Sequence, residues 1–292
     1  MKRGPRLSTS VAALAVGAVG LVLTVAAATA LAPLAEAAGW STPVLWEHSG
    51  DGTDRMPWIY GNTLYLVWGR YDIYYSTYDE ALGSWSEPQP VPGAVNTSAN
   101  NEINPVVVGG GKVLYFARYN PLTDYDFYRS EWDEEKGEWG EPVKIEAWST
   151  DAQEWDLWVN EDETVAYLTS RGSFGGQAGL GGQDVWKSVK VNGQWTTPVN
   201  LGAPINTPGD EWSIFVGPDG KIYIDSNREG TVGKMDIFVA ADEKSAPQSL
   251  GVPINGPTDE RELAFNDKWL FISAIDRDGR KGYDIYVARW QD

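Results

Sequence analysis

The 292-residue sequence contains no cysteine, three methionines and a single histidine, His48. Without cysteine there is no disulfide framework, no thiolate nucleophile, no iron–sulfur cluster and no cysteine-ligated zinc. With His48 alone, a His-rich metal site is excluded, and a Ser-His-Asp triad could only be built around that one residue. Positive charge is also scarce: 23 Lys and Arg stand against 41 Asp and Glu, a formal net charge of −18. This balance argues against nucleic acid and anionic lipid as partners. Deamination, acyl transfer and phosphoryl transfer lack their required residues or loops, and neither a P-loop nor a dinucleotide fingerprint is present. Aromatic and turn-forming residues are abundant instead, with 15 Trp, 14 Tyr and 32 Gly. With 42% hydrophobic residues, the chain has enough apolar surface for a large core.

The first segment reads as an address. Lys2, Arg3 and Arg6 precede an uncharged apolar stretch from Val11 to about Ala32, followed by Ala35-Glu36-Ala37. This is the pattern of a secretory signal peptide, residues 1–37, which leaves residues 38–292 as the mature domain. The stretch is also long enough to span a bilayer, so an uncleaved anchor is the alternative. No cysteine follows for a lipoprotein anchor, and no other segment is apolar enough to span. Cleavage removes three basic residues and Glu36, so the charge of the mature chain becomes −20. A secreted protein without cysteine has to be stabilised by its core and topology.

A repeat recurs five times. Its first part is Trp-x-x-Pro at Trp40, Trp85, Trp139 and Trp195; a fifth copy keeps only Pro247. An acid then opens a strand: Asp54, Glu102, Glu154, Glu211, Glu260. A second strand carries an aromatic: Tyr65, Tyr115, Tyr167, Tyr223, Phe271. Last comes Asp followed by alternating residues, at Asp72, Asp126, Asp184, Asp236 and Asp284. The prolines recur every 45–56 residues. Four short β-branched or aromatic runs per unit, divided by turn residues, predict a four-stranded meander and hence a propeller blade. The fold expected is all-β, a five-bladed β-propeller. Trp40-Ser-Thr-Pro-Val-Leu45 reads as the outer strand of a blade whose other strands end the chain, so the N-terminal strand should close the last blade. No helix longer than a turn or two is expected in the mature chain.

The fourth unit carries Asp210-Glu211-Trp212, Gly217-Pro218-Asp219-Gly220, Ser226-Asn227-Arg228, Gly230, Gly233 and Asp236-Ile237-Phe238. The linker Asn200-Leu-Gly-Ala-Pro-Ile-Asn206 returns as Ser249-Leu-Gly-Val-Pro-Ile-Asn255. These residues resemble the TolB-like, WD-type propeller repeat, best over residues 196–292 and with declining quality in the first three units. The resemblance implies a β-propeller and little about activity, since such repeats occur in binding, scaffolding and enzymatic proteins.

The five acids at the inner-strand entries, and Arg70, Arg118, Arg171, Arg228 and Arg277 after the second strands, are expected on one rim. They could form an acidic funnel for a cation, an amine or a sugar. A feature present in every unit is more economically structural, each acid pairing with an arginine or with backbone N–H groups. By the same logic the Trp-x-x-Pro tryptophans should pack between blades. Departures from the repeat are better site candidates. Arg55 and Arg261 stand where two of the other units carry Trp155 and Trp212, and units one and five are neighbours across the closure, so the two arginines are expected close together. Asp156 and Glu262 add a second carboxylate where other units have Met56, Asn104 and Ser213. The Gly-rich stretch 172–183 could act as a lid or be a tolerated insertion.

A binding module is therefore expected, taking a small molecule, a glycan or another protein through Asp54, Arg55, Glu102, Trp155, Trp212, Glu260 and Arg261. The alternative is a glycosidase, with Glu154, Asp156, Glu211 and Glu262 as acid, base or nucleophile. Five-bladed propellers host such enzymes, an analogy of fold only. No cofactor is expected. Asp276-Arg-Asp278-Gly and Asp284 resemble a calcium loop only weakly, and turn chemistry accounts for them. Asn96-Thr-Ser98 is a glycosylation sequon.

Overall fold

The computed structural model describes residues 39–50 and 53–291; the expected signal segment lies outside them. Five antiparallel sheets follow one another along the chain. Their inner strands are Arg55–Tyr60, Glu102–Val108, Glu154–Val159, Glu211–Val216 and Asp259–Phe265. Each inner strand contacts the next, and the fifth contacts the first, which closes the ring of a five-bladed β-propeller. The described residues contain two three-residue 3-10 turns, Glu146–Trp148 and Arg277–Gly279, and no helix long and apolar enough to cross a membrane.

The last blade is completed as the repeat predicts. Val44–Leu45 pairs antiparallel with Tyr283–Arg289, placing Val44 opposite Val287 and Leu45 opposite Tyr286. Trp46 follows this strand into the core and is 1% exposed. Burying a tryptophan at the seam is what a chain without disulfides has available to fasten its ends.

The blades pack through aromatic and aliphatic side chains on their middle strands. In blade 2, Leu114, Tyr115, Phe116 and Ala117 are all fully buried, because this strand is covered on both faces. The repeat tryptophans sit between blades: Trp85 meets Trp269 and Phe271 of blade 5, and Trp195 meets Trp148 and Tyr115 on the blade 2 side. Other repeat residues tie linkers to third strands. Asn96, Asn206 and Asn255 each clasp both the N–H and the C=O of one residue, Ile73, Val185 and Ile237 respectively. The Asn96 amide is thereby engaged at both its oxygen and its nitrogen.

The Gly-rich stretch 172–183 is pinned rather than lid-like. Phe174 is buried against Trp186, and the backbone N–H groups of Leu180 and Gly181 donate to Asp184. A Cβ on Gly181 would lie 1.9 Å from the carbonyl oxygen of Gly209, so only glycine permits this approach of the two backbones. Asp236 is held the same way by Val232 and Gly233. In blade 5, the Arg280 side chain does this for Asp284 in place of backbone donors. The weak calcium-loop resemblance falls on this turn, and no group of three or more His, Asp or Glu side chains among the described residues is placed to hold a metal ion.

Candidate functional site

Three successive aligned positions, counted from Asp54, Glu102, Glu154, Glu211 and Glu260 at the inner-strand entries, build three different environments. At the first position, Glu102, Glu154, Glu211 and Glu260 are fully buried and Asp54 is 3% exposed. The carboxylates are therefore withdrawn from solvent and do not line an open acidic funnel. Each is received by a hydroxyl or amide from the preceding linker. Thr97 and Thr207 donate both N–H and Oγ1 to Glu102 and Glu211. Glu260 accepts from Gly256 N and Thr258 Oγ1, and Asp54 from Ser49 Oγ and Gly50 N. Three arginines complete the arrangement: Arg118 lies 2.9 Å from Glu102, Arg228 3.2 Å from Glu211 and Arg277 3.8 Å from Glu260. The same arginines donate to linker carbonyls, for instance Val95, Ile205 and Ile254. Burial still outweighs these partners, and the carboxyls of Glu102, Glu211 and Glu260 are held above their usual range.

Glu154 departs from this scheme. Its partners are Thr150 Oγ1 at 2.5 Å and Ser170 Oγ at 3.2 Å, both on Oε1, while Oε2 has no hydrogen-bond partner. Among the described residues no arginine pairs with it, because Arg171, which follows the second strand of its blade, instead lies 4.9 Å over the ring of Trp212. Burial, with Asp126 adding repulsion, pushes the Glu154 carboxyl up to about 7.

The third position closes the axis. Every inner strand carries a register irregularity here, and Met56, Asn104 and Glu262 adopt positive φ of 54–57°. The irregularity brings Met56, Asn104, Asp156, Ser213 and Glu262 around one axial cavity of only about 30 Å³. The acids among them are engaged with neighbouring blades. Asp156 accepts from Ile214 N at 2.9 Å, and Glu262 from Met56 N at 2.9 Å. Asp225, on the second strand of blade 4, accepts from Ser213 N and Glu262 N. Asp225 belongs to no repeat feature and was not singled out in the sequence. Its position opposite Ser213 on the second strand is the signal that could have found it. Burial pushes Asp225 up to about 6, with Arg261 opposing and Glu262 reinforcing the shift. Asp156 is raised well above its usual range by burial and by the nearby Glu262 and Asp225.

The second position forms the mouth above this closure. Arg55 of blade 1 lies 5.3 Å from the ring of Trp155 in blade 3. Those blades are not neighbours, so the contact crosses the channel. Trp155 and Trp212 meet edge-to-face at 5.4 Å, and Arg261 stacks 5.4 Å over Trp212. The rings of Tyr71 and Tyr283 also lie against the Arg55 guanidinium, at 4.7 and 4.9 Å, and Tyr125 abuts Trp155. Tyr71, Trp155, Trp212, Arg261 and Tyr283 are half-buried, and Arg55 is 5% exposed. Four of the expected ligand residues, Arg55, Trp155, Trp212 and Arg261, thus come together at the mouth. Asp54, Glu102, Glu154, Glu211 and Glu260 lie inside the blades, and Asp156 and Glu262 in the floor.

No protein-family model matches the chain, and no curated protein sequence matches it. Its fold is shared with solved structures at low identity. One is an alpha-L-arabinofuranosidase from Lactobacillus brevis, 14% identical over 82% of this chain and 91% of that one, with a TM-score of 0.54. Another is an alpha-L-arabinofuranosidase from Podospora anserina, solved with cellotriose, 13% identical over 86% and 95% at a TM-score of 0.52. A luciferin-regenerating enzyme is 12% identical over 86% and 97% at a TM-score of 0.51. At these identities the likeness is one of fold.

Proposed function

We propose that this protein is a ligand-binding propeller of the TolB-like repeat kind that takes a carbohydrate at the mouth formed by Arg55, Trp155, Trp212 and Arg261. In this proposal residues 38–292 act outside the cell, after removal of residues 1–37. The observation that carries the reading is the half-buried Trp155–Trp212 pair at the channel axis. The two perpendicular indoles would give a sugar ring apolar contact, and the guanidinium groups of Arg55, Arg171 and Arg261 that lie over them would supply donors for its oxygens. The saccharide-active neighbours of similar fold are consistent with that ligand class. Binding is favoured over hydrolysis because the inner-strand acids are consumed within the protein. Glu102, Glu211 and Glu260 pair with arginines, and Asp156 and Glu262 hold backbone N–H groups.

Glycoside hydrolysis through Glu154, Asp156, Glu211 and Glu262 is the second reading. One observation favours it: Glu154 has no arginine partner, and its carboxyl titrates near 7, where a general acid is useful. Against it, Glu154 is fully buried and touches no substrate-accessible space. A glycan array combined with a hydrolysis screen separates the two. Binding without turnover, lost in Trp155→Ala and kept in Glu154→Gln, is the expected result. Turnover abolished by Glu154→Gln would establish the enzyme instead, and absence of any glycan binding would end the carbohydrate reading.

A further inference from the structure

The arginines of this protein fall into two groups. Arg118, Arg228 and Arg277 each have a carboxylate and one or two main-chain carbonyls. Arg55 and Arg261 do not. Among the described residues no carboxylate lies within ion-pair distance of Arg55, and the one that reaches Arg261, Asp259, is 4.0 Å away. The Nε atoms of both are buried and have no hydrogen-bond partner. Aromatic rings crowd both guanidinium groups: Tyr71, Trp155 and Tyr283 around Arg55, and Trp212 against Arg261. The Tyr283 hydroxyl is an acceptor for Arg55, and the charges of Asp225, Glu262 and Asp259 act on Arg261, which leaves the Nε of each as the unpaired donor.

A buried guanidinium N–H with no acceptor is costly, and both arginines carry one at Nε. Arg55 and Arg261 come from blades 1 and 5, adjacent across the seam, and both act on Tyr283, whose ring Arg55 covers. The two edges thus border one spot beside the Trp155–Trp212 pair.

We infer that the mouth is built for an acidic sugar, with Arg55 and Arg261 holding the carboxylate of a uronic acid residue whose ring rests on Trp155 and Trp212. This deepens the carbohydrate reading above and rests on it. A planar carboxylate matches the in-plane donors of a guanidinium edge.

The test uses the full chain and two ligands with the same sugar skeleton, one charged and one neutral: digalacturonic acid and its methyl ester, measured by titration calorimetry. The acid is expected to bind at least about ten-fold more tightly than the ester, the difference that loss of a charge-assisted hydrogen bond produces. Arg55→Gln and Arg261→Gln should each remove that preference, weakening the acid about ten-fold more than the ester. Because the ester comparison needs no variant, it decides the question even where Arg55→Gln fails to fold. Equal affinity for acid and ester, or undiminished acid binding in Arg261→Gln, overturns the inference. If a neutral oligosaccharide binds and Trp155→Ala abolishes it while the acid shows no preference, the carbohydrate reading stands and this inference falls. If no saccharide binds, both fall.

Discussion

Glu154 offers a direct measure of what a buried, arginine-free carboxyl does to this fold. Its carboxyl titrates near 7 in the folded protein and at the ordinary 4.5 when exposed. A raised carboxyl means that the folded state binds the proton more tightly than the unfolded chain does. Folding is therefore favoured at low pH, and that contribution is lost as pH rises from about 4.5 through about 7. Between pH 5 and pH 8 the loss comes to about 2.5 kcal/mol, from the full separation of the two values less the part already spent at pH 5. Glu154→Gln keeps an oxygen for Thr150 and Ser170 and cannot ionise. Its stability relative to wild type should rise by about 2.5 kcal/mol from pH 5 to pH 8 in urea-unfolding experiments. The raised carboxyls of Asp156 and Asp225 slope the same way, but they are shared by both proteins and cancel in the difference. A stability difference between Glu154→Gln and wild type that is flat over this range would refute the argument, since it would mean that Glu154 is ionised or hydrated in the folded ring.

Two further outcomes follow from the packing. Arg118→Met should lower the unfolding free energy by about 2–4 kcal/mol, because it strips Glu102 of its charge partner and the carbonyl of Val95 of its donor; a loss below about 1 kcal/mol in denaturant titration contradicts this. Trp46→Ala should cost about 3–5 kcal/mol, as removal of a fully buried indole does. An unchanged unfolding midpoint for Trp46→Ala would mean that the seam does not share the cooperativity of the ring.

The architecture was readable because it is repetitive. The acids from Asp54 to Glu260 and the aspartates from Asp72 to Asp284 mark equivalent points in each blade, and the incomplete final unit points to the strand at Val44–Leu45. The candidate site was less legible because its geometry depends on breaks in that regularity. The inner-strand irregularity that brings Asp156 and Glu262 into the axial floor requires positive φ at Glu262 and at Met56, which neither residue type announces. The contact of Arg55 with Trp155 joins positions about a hundred residues apart across an unrelated blade, and no local pattern encodes it. Spacing assigned one rim arginine to each acid. Arg171 stacks on Trp212 instead, and Arg70 is exposed. The stretch 172–183 looked mobile in composition, yet Gly181 is there to let two backbones touch.

The closing strand also dictates an order of events. Val44 must find Val287 across nearly the whole ring, a loop closure whose entropy cost is about 5 kcal/mol for a chain of this length. Blades 1 to 4 each draw all their strands from one continuous stretch and can form as that stretch is synthesised, whereas blade 5 has to wait for residues from both ends. Until then Tyr283–Arg289 presents an unpaired edge. At high concentration that edge would accept residues 44–45 of another copy as readily as its own, so the seam that locks the monomer is also where two chains would exchange strands.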